Sequence, residues 1–257
     1  MLKLKRTEEI EHLRENNQIV SMTLAELGKM IQPGVTTLEL DKRAEEFIRD
    51  HGAEPGFLGY GGFPNSICTS VNDAVVHGIP SDYQLKDGDI ISIDCGTIKN
   101  GYYGDSAYTF AVGQVDPQVQ QLMQATRESL FKGIEKAVAG NRVGDISYAV
   151  QHRAEEAGFS VVREMVGHGL GSNMHESPEI PNYGKRGKGP QLKEGLVICI
   201  EPMINLGSRS IKQDRDGWTI RTMDGKPSAH YELALAIRNG QPDVLSTFDY
   251  IEKPSTT

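Results

Sequence analysis

The sequence predicts an α+β fold of two related halves around a shared, mainly antiparallel sheet. Two observations lead there. Helix-patterned segments followed by turn-rich strands occur twice in the same order along the chain. The stretches GVTTLELDKRAEEFIRDHG (34–52) and GNRVGDISYAVQHRAEEAG (140–158) also share a leading glycine and the string RAEE. A repeated element order with a repeated fragment is the mark of duplicated units that bury their apolar faces against each other. No Pro/Ser-rich linker divides them, so the expectation is one domain over residues 1–257, with halves at about 1–115 and 116–250 and a short C-terminal tail.

The elements follow from periodicity. Ile10, Leu13, Val20, Leu24, Leu27 and Met30 recur at helical spacing, which predicts a helix over 7–31 that starts at Thr7 and is stopped by Pro33-Gly34. A second helix is expected over 37–50. Strands and hairpin turns follow to Val112, and Asn100-Gly101 joins strand-like runs 90–97 and 102–112 as a two-residue hairpin signal. Val119, Leu122, Met123, Leu130, Ile134 and Val138 predict a helix over 119–138, broken by Gly140, and another covers about 145–157.

Composition excludes several function classes. With 38% hydrophobic residues in 257 there is ample material for a core. Basic residues number 27 against 35 acidic, a net charge of −8, and no run of Lys and Arg tracks a phosphate backbone, so direct nucleic-acid specificity is not expected. Cys68, Cys95 and Cys199 are odd in number and widely spaced, which suits reduced thiols and neither a disulfide framework nor a zinc knuckle. The N-terminal stretch turns charged after two apolar positions and reads as neither signal peptide nor membrane span; a cytoplasmic protein without a membrane partner is expected.

The hairpin IDCGTIKNGYYGD (93–105) carries acid on both limbs. Its turn sets Lys99 opposite Tyr102, Gly96 opposite Asp105 and Asp94 opposite Ala107, which makes Asp94 and Asp105 diagonal neighbours on one face. Gly96 is expected to leave the space between them open. Two carboxylates aimed into one space need a proton or a cation between them, and two divalent ions would suit the gap. Further donors lie in the second half. His168 sits between glycines in MVGHGLG, Glu201 closes the apolar run of VICIEPM, and Glu232 interrupts the apolar strand HYELALAI. A carboxylate in such a run is costly to bury unless paired. Two Asp, two Glu and one imidazole suit hard or borderline divalent ions better than a thiolate zinc site.

These residues stand in a familiar frame. VVHGIP (75–80), KDGDIISID (86–94), the D-x10-D hairpin, GHGLG with H-x6-H, IEPM, DGWTIRT (216–222) and HYE occur in the order of the bacterial type I methionine aminopeptidases, and the chain resembles that family from its first helix to its last strand. The resemblance implies the pita-bread fold and a metal-dependent aminopeptidase that removes the initiator methionine when the second residue is small. It implies five ligands for two divalent ions (Co, Mn, Fe or Zn): Asp94, Asp105, His168, Glu201 and Glu232, with Asp105 and Glu232 bridging. Glu201 would also be the general base toward a water shared by the ions. His175 would donate to the developing oxyanion, and His77 would contact the scissile amide nitrogen. Phe57, Tyr60, Phe63, Cys68 and Trp218, with His77 and His175, would bind substrate. The implied partner is the N-terminal methionine of nascent polypeptides, met by a monomer that docks at the ribosome.

The sequence departs from the family pattern at Phe57 and Phe63, often Cys and Tyr in bacterial relatives, and at Cys95-Gly96, commonly Val-Thr. The first pair bears on the methionine pocket and the second on metal affinity. Cys95 should point into the core. Two rivals share the fold: a proline-directed peptidase, which typically carries a large N-terminal domain, and a module that has lost its ligands and only binds a partner. All seven polar positions are intact here.

Overall fold

The first helix, α1 (Thr7–Gly28), starts where Glu9 accepts the Arg6 backbone N–H at 2.9 Å. It ends about a turn short of the predicted boundary. Lys29 and Met30 close on the carbonyls of Glu26 and Leu27, and a Cβ on Gly28 would come within 2.9 Å of the Phe110 ring, so the chain leaves the helix against that wall. The computed structural model describes residues 2–253; Met1 and the end of the predicted tail, 254–257, lie outside the described residues.

The second helix, α2 (Thr37–Asp50), occupies the predicted span and opens with a capping box between Thr36 and Glu39. Helix α3 (Pro117–Ile134) begins earlier than its apolar pattern, because the Asp116 side chain accepts from the Gln118 N–H at 2.7 Å and Pro117 fits the first turn. It also stops short of Val138. Helix α4 (Val143–Glu156) starts two residues before the expected Asp145, whose carboxylate instead caps the helix by accepting the Arg142 N–H at 2.8 Å.

The duplication is carried in these pairs. Arg43 of α2 bonds Glu26 of α1 at 2.8 Å, and Arg153 of α4 bonds Glu128 of α3 at 2.8 Å, so the two RAEE strings place the same ion pair in each half. Gly34 and Gly140, ahead of α2 and α4, turn the chain at φ of +94° and +96°.

Every strand pairing among the described residues is antiparallel. In the first half Ile90–Lys99 lies between Ile67–Val71 and Tyr102–Ala111, covered by α1 and α2. In the second, Val197–Ile200 lies between Leu233–Ala236 and Gly167–Gly169, covered by α3 and α4. The halves meet edge to edge at Ala107 and Glu232, where the Glu232 N–H donates to the Ala107 carbonyl at 2.9 Å and the Ser106 hydroxyl to the Glu232 carbonyl at 2.6 Å. Helix α1 braces the seam: Ile19, Val20 and Leu24 pack on the first half, while Ile10 and Leu13 pack on Val197, Cys199 and Ala234 of the second.

Candidate active site

The hairpin has the predicted register, with Gly96 opposite Asp105 and Asp94 opposite Ala107. Its turn holds Asn100 and Gly101 at φ of 56° and 77°, the left-handed region that the Asn-Gly pair tolerates. Helix α1 then fixes the second limb. Gly104 lets the Asn16–Asn17 backbone approach so closely that a Cβ would meet it at 2.6 Å, and the Asn17 side-chain carbonyl accepts the Asp105 N–H at 3.1 Å. Sequence reasoning missed this brace, whose available sign was two adjacent asparagines inside the helical pattern; both are fully buried.

The space opposite Asp105 differs from expectation. Gly96 does not open a gap between the carboxylates: a Cβ there would lie 2.6 Å from the Phe57 ring and 3.1 Å from the Met174 methyl, so the notch is filled by the wall of the neighbouring pocket. Phe57 and Gly96, both departures from the family pattern, therefore fit one another. Cys95 points into the α1–α2 core, as predicted.

His168 lies on the short strand Gly167–Gly169, and its flanking glycines have steric reasons. A Cβ on Gly167 would meet the Cys199 carbonyl at 2.4 Å and one on Gly169 the Ser177 carbonyl at 2.7 Å. That close packing aims the imidazole at the hairpin, with Nε2 3.6 Å from both Asp105 Oδ2 and Glu201 Oε1. Glu201 leaves the end of Val197–Ile200. Glu232 comes from the seam beside Ala107. Ligand atoms of Asp105, His168 and Glu232 lie within 4.8 Å of one another, and the Cys199 Sγ falls inside the same limit.

The cluster is unpaired as protein alone. Asp94 Oδ1, Asp105 Oδ1 and Glu232 Oε1 are sealed from solvent without a hydrogen-bond partner. Burial and then the Asp105 charge push the Asp94 carboxyl well up; burial and the neighbouring aspartates do the same to Glu201, and burial, Asp105 and Glu201 to Glu232. Burial raises Asp105 to about 8. Orphaned, mutually repelling oxygens around one imidazole fit divalent cations, which would neutralise the charge and use the free lone pairs.

A stability prediction follows. A carboxyl that binds its proton more tightly folded than unfolded makes the folded state lose stability as pH rises from the unfolded value, 3.8 for Asp105, toward about 8. Chelated protein should therefore melt at progressively lower temperature across that window, and saturating manganese or cobalt should remove the trend. A melting temperature of the chelated protein that rises with pH would contradict the unpaired cluster.

A cavity of about 280 Å³ opens beside the carboxylates. It is lined by the expected Phe57, Tyr60, Phe63, Cys68 and Trp218, by His77 and His175, and by all five proposed ligands. Phe63 meets Trp218 edge to face at 5.2 Å. His77 follows the strand Ala74–Val76 in a left-handed conformation, φ 59°, a strained setting for a side chain of this size and one that recurs at functional sites. Burial and then His175 lower His77 to about 4, and burial and then His168 lower His175 to about 4, so both rings are neutral at neutral pH. The Tyr60 hydroxyl lies 2.7 Å from His175 Nδ1, which adds a polar contact to a residue expected only as lining.

Sequence reasoning missed Met174, a buried part of the pocket wall, and the nearness of Cys199, read only as a reduced thiol, to the donor cluster. Adjacency to His175 was the available sign for Met174. For Cys199 it was the two-residue spacing from Glu201, which follows directly on the same strand.

Known proteins resemble the chain along most of its length. Metallopeptidase family M24 matches residues 11–238. The chain is 51% identical to the methionine aminopeptidase of Clostridium acetobutylicum over 96% of its own length and 99% of the relative's. It is also 51% identical to methionine aminopeptidase 1 of Bacillus subtilis, with the same coverage of 96% and 99%. A crystal structure of methionine aminopeptidase from Rickettsia prowazekii superposes with a TM-score of 0.95 at 40% identity, covering 96% of this chain and 100% of that one. The prolidase of Pyrococcus furiosus superposes at 0.78 with 23% identity and covers 65% of that chain, a likeness of fold alone. With the α+β pita-bread architecture of these neighbours and a family match across most of its length, the chain belongs to metallopeptidase family M24.

Proposed function

We propose that the protein is a methionyl aminopeptidase that removes the initiator methionine from nascent proteins and peptides whose second residue is small. The observation that carries this reading is the convergence of five metal-type donors on the floor of an apolar cavity that also holds two neutral histidines. Asp94, Asp105, His168, Glu201 and Glu232 would hold two divalent ions of the Co, Mn, Fe or Zn kind. When bound, the ions supply Lewis acidity, which polarises the scissile carbonyl and eases deprotonation of a water. Glu201 takes that proton. The Tyr60 hydroxyl lies 2.7 Å from Nδ1 of His175; in the tautomer where it donates there, the ring proton is on Nε2 and would meet the developing oxyanion. His77 contacts the scissile amide nitrogen.

Phe57, Phe63, Cys68, Met174 and Trp218 enclose the methionine side chain. Burial of such a side chain contributes roughly 1.5–3 kcal/mol. A branched residue after the scissile bond would press on the histidines, and such a misfit costs about 1–3 kcal/mol. We further propose that residues 1–257 act as one catalytic domain, as a cytoplasmic monomer that docks at the ribosome to meet nascent chains. Among the described residues no helix is long and apolar enough to cross a membrane.

The test is hydrolysis of Met-Ala-Ser, Met-Leu-Ser and a Gly-Pro peptide with manganese or cobalt added. Release of methionine from the first alone is expected. Cleavage of Gly-Pro would turn the reading toward a proline-directed peptidase, and no turnover of any peptide toward a binding module.

A further inference from the structure

The segment ahead of α1 is tied to the loop that carries His175. Lys5 Nζ lies 2.5 Å from Glu176 Oε2, and both side chains are almost sealed from solvent, at 5% and 2% exposure. Lys3 Nζ reaches the other carboxylate oxygen at 3.3 Å, and Lys5 Nζ also donates to the Lys3 carbonyl at 3.1 Å. The backbone is fastened as well, the Lys5 N–H donating to the Gly195 carbonyl at 2.6 Å.

The surroundings are shaped for this contact. At Gly171 a Cβ would stand 2.6 Å from Glu176 Oε1 and 2.7 Å from Lys5 Cε; at Gly195 it would stand 2.7 Å from the Lys5 carbonyl. Burial pushes the Glu176 carboxyl up, but the hydrogen bond and charge of Lys5, then those of Lys3, outweigh it and hold the group below its ordinary range. A buried ion pair is weak evidence for stability, because well-packed apolar residues often serve as well. What it does supply is a defined position for the chain on each side of it.

Glu176 is bonded directly to His175, and Met174 on the other side is pocket wall. Consecutive Cα atoms are about 3.8 Å apart, so the position of Glu176 limits where the His175 Cα can lie.

We propose that residues 3–5 form a strap whose buried Lys5–Glu176 pair positions His175, making the N-terminal segment a working part of the active site. The strap continues into α1, whose Asn17 holds the Asp105 backbone, so one stretch of chain braces the histidine side and the carboxylate side together. Lys5 is a positioning residue, and the proposal rests on the reading that His175 acts on substrate.

The experiment compares Lys5→Met, Lys5→Arg, His175→Ala and the Lys5→Met/His175→Ala double variant on Met-Ala-Ser, with metal stoichiometry measured by calorimetry. Lys5→Met should lower kcat on the order of 10²-fold, the scale of a misplaced catalytic group, with KM changed by less than about twofold and metal binding unchanged. Lys5→Arg should recover most of the rate. In the His175→Ala background Lys5→Met should cost nothing further.

Wild-type kcat in Lys5→Met, a loss that multiplies with that of His175→Ala, or a loss explained by missing metal would each overturn the strap. Wild-type turnover by His175→Ala would instead overturn the role of His175. Should Lys5→Met fail to fold with Glu176 left unpaired, Lys5→Met/Glu176→Gln removes both charges and carries the same comparison.

Discussion

Glu201→Gln should lower turnover by about 10³-fold or more, roughly 4 kcal/mol of transition-state stabilisation, while the fold persists. The amide matches the carboxylate in size and still offers one oxygen toward the cluster, so packing at the end of Val197–Ile200 is kept. It cannot accept a proton. It also removes one negative charge from a group in which burial and then Asp94 and Asp105 raise the Glu201 carboxyl, and burial, Asp105 and Glu201 raise Glu232, so the metal-free variant should melt no lower than wild type. Steady-state kinetics in metal-replete buffer, beside a melting curve, separate the two effects. Turnover near wild type would remove Glu201 from the role of base.

The second large effect separates the histidines. His168 Nε2 lies 3.6 Å from Asp105 Oδ2 and Glu201 Oε1, within the donor cluster, whereas His77 lines the cavity on the side of Trp218, with the two rings 6.5 Å apart. His168→Ala should weaken metal binding by more than about 100-fold, since loss of even an outer-shell partner costs 10–100-fold. His77→Ala should leave metal stoichiometry unchanged and lower turnover. Calorimetric titration of both proteins decides it: if His77→Ala were the variant that lost a metal, the division between ligands and unligated histidines would be wrong.

These expectations rest on sites of unequal legibility. The hairpin was readable residue by residue, because Asn100-Gly101 sets a two-residue turn and side chains then alternate; Gly96 met Asp105 where the count put it. The helix ends were less readable. Periodicity reports which residues face the core, while Asp116, Arg142 and Gly28 set the termini through single hydrogen bonds or one contact, and an apolar pattern carries none of these. The expected gap at Gly96 was wrong for a related reason: a missing side chain does not tell which neighbour takes its room, and here Phe57 and Met174 do.

What the sequence by itself determined is the local part: two helix pairs with matching RAEE strings, the hairpin register, and five donors of the right chemistry in a recognisable order. Those follow from alternation, helical spacing and turn chemistry, all of which act over a few residues. The tertiary structure decided the rest. Glu232 reaches the aspartates only because the halves join at Ala107, His168 only because Gly167 and Gly169 let strands close in, and Asp105 is braced by Asn17 from a helix 88 residues earlier in the chain. Lys5 and Glu176 stand 171 residues apart. Contacts of that range depend on how layers pack and on what fills the space between them, and neither quantity is written in any short stretch of the chain.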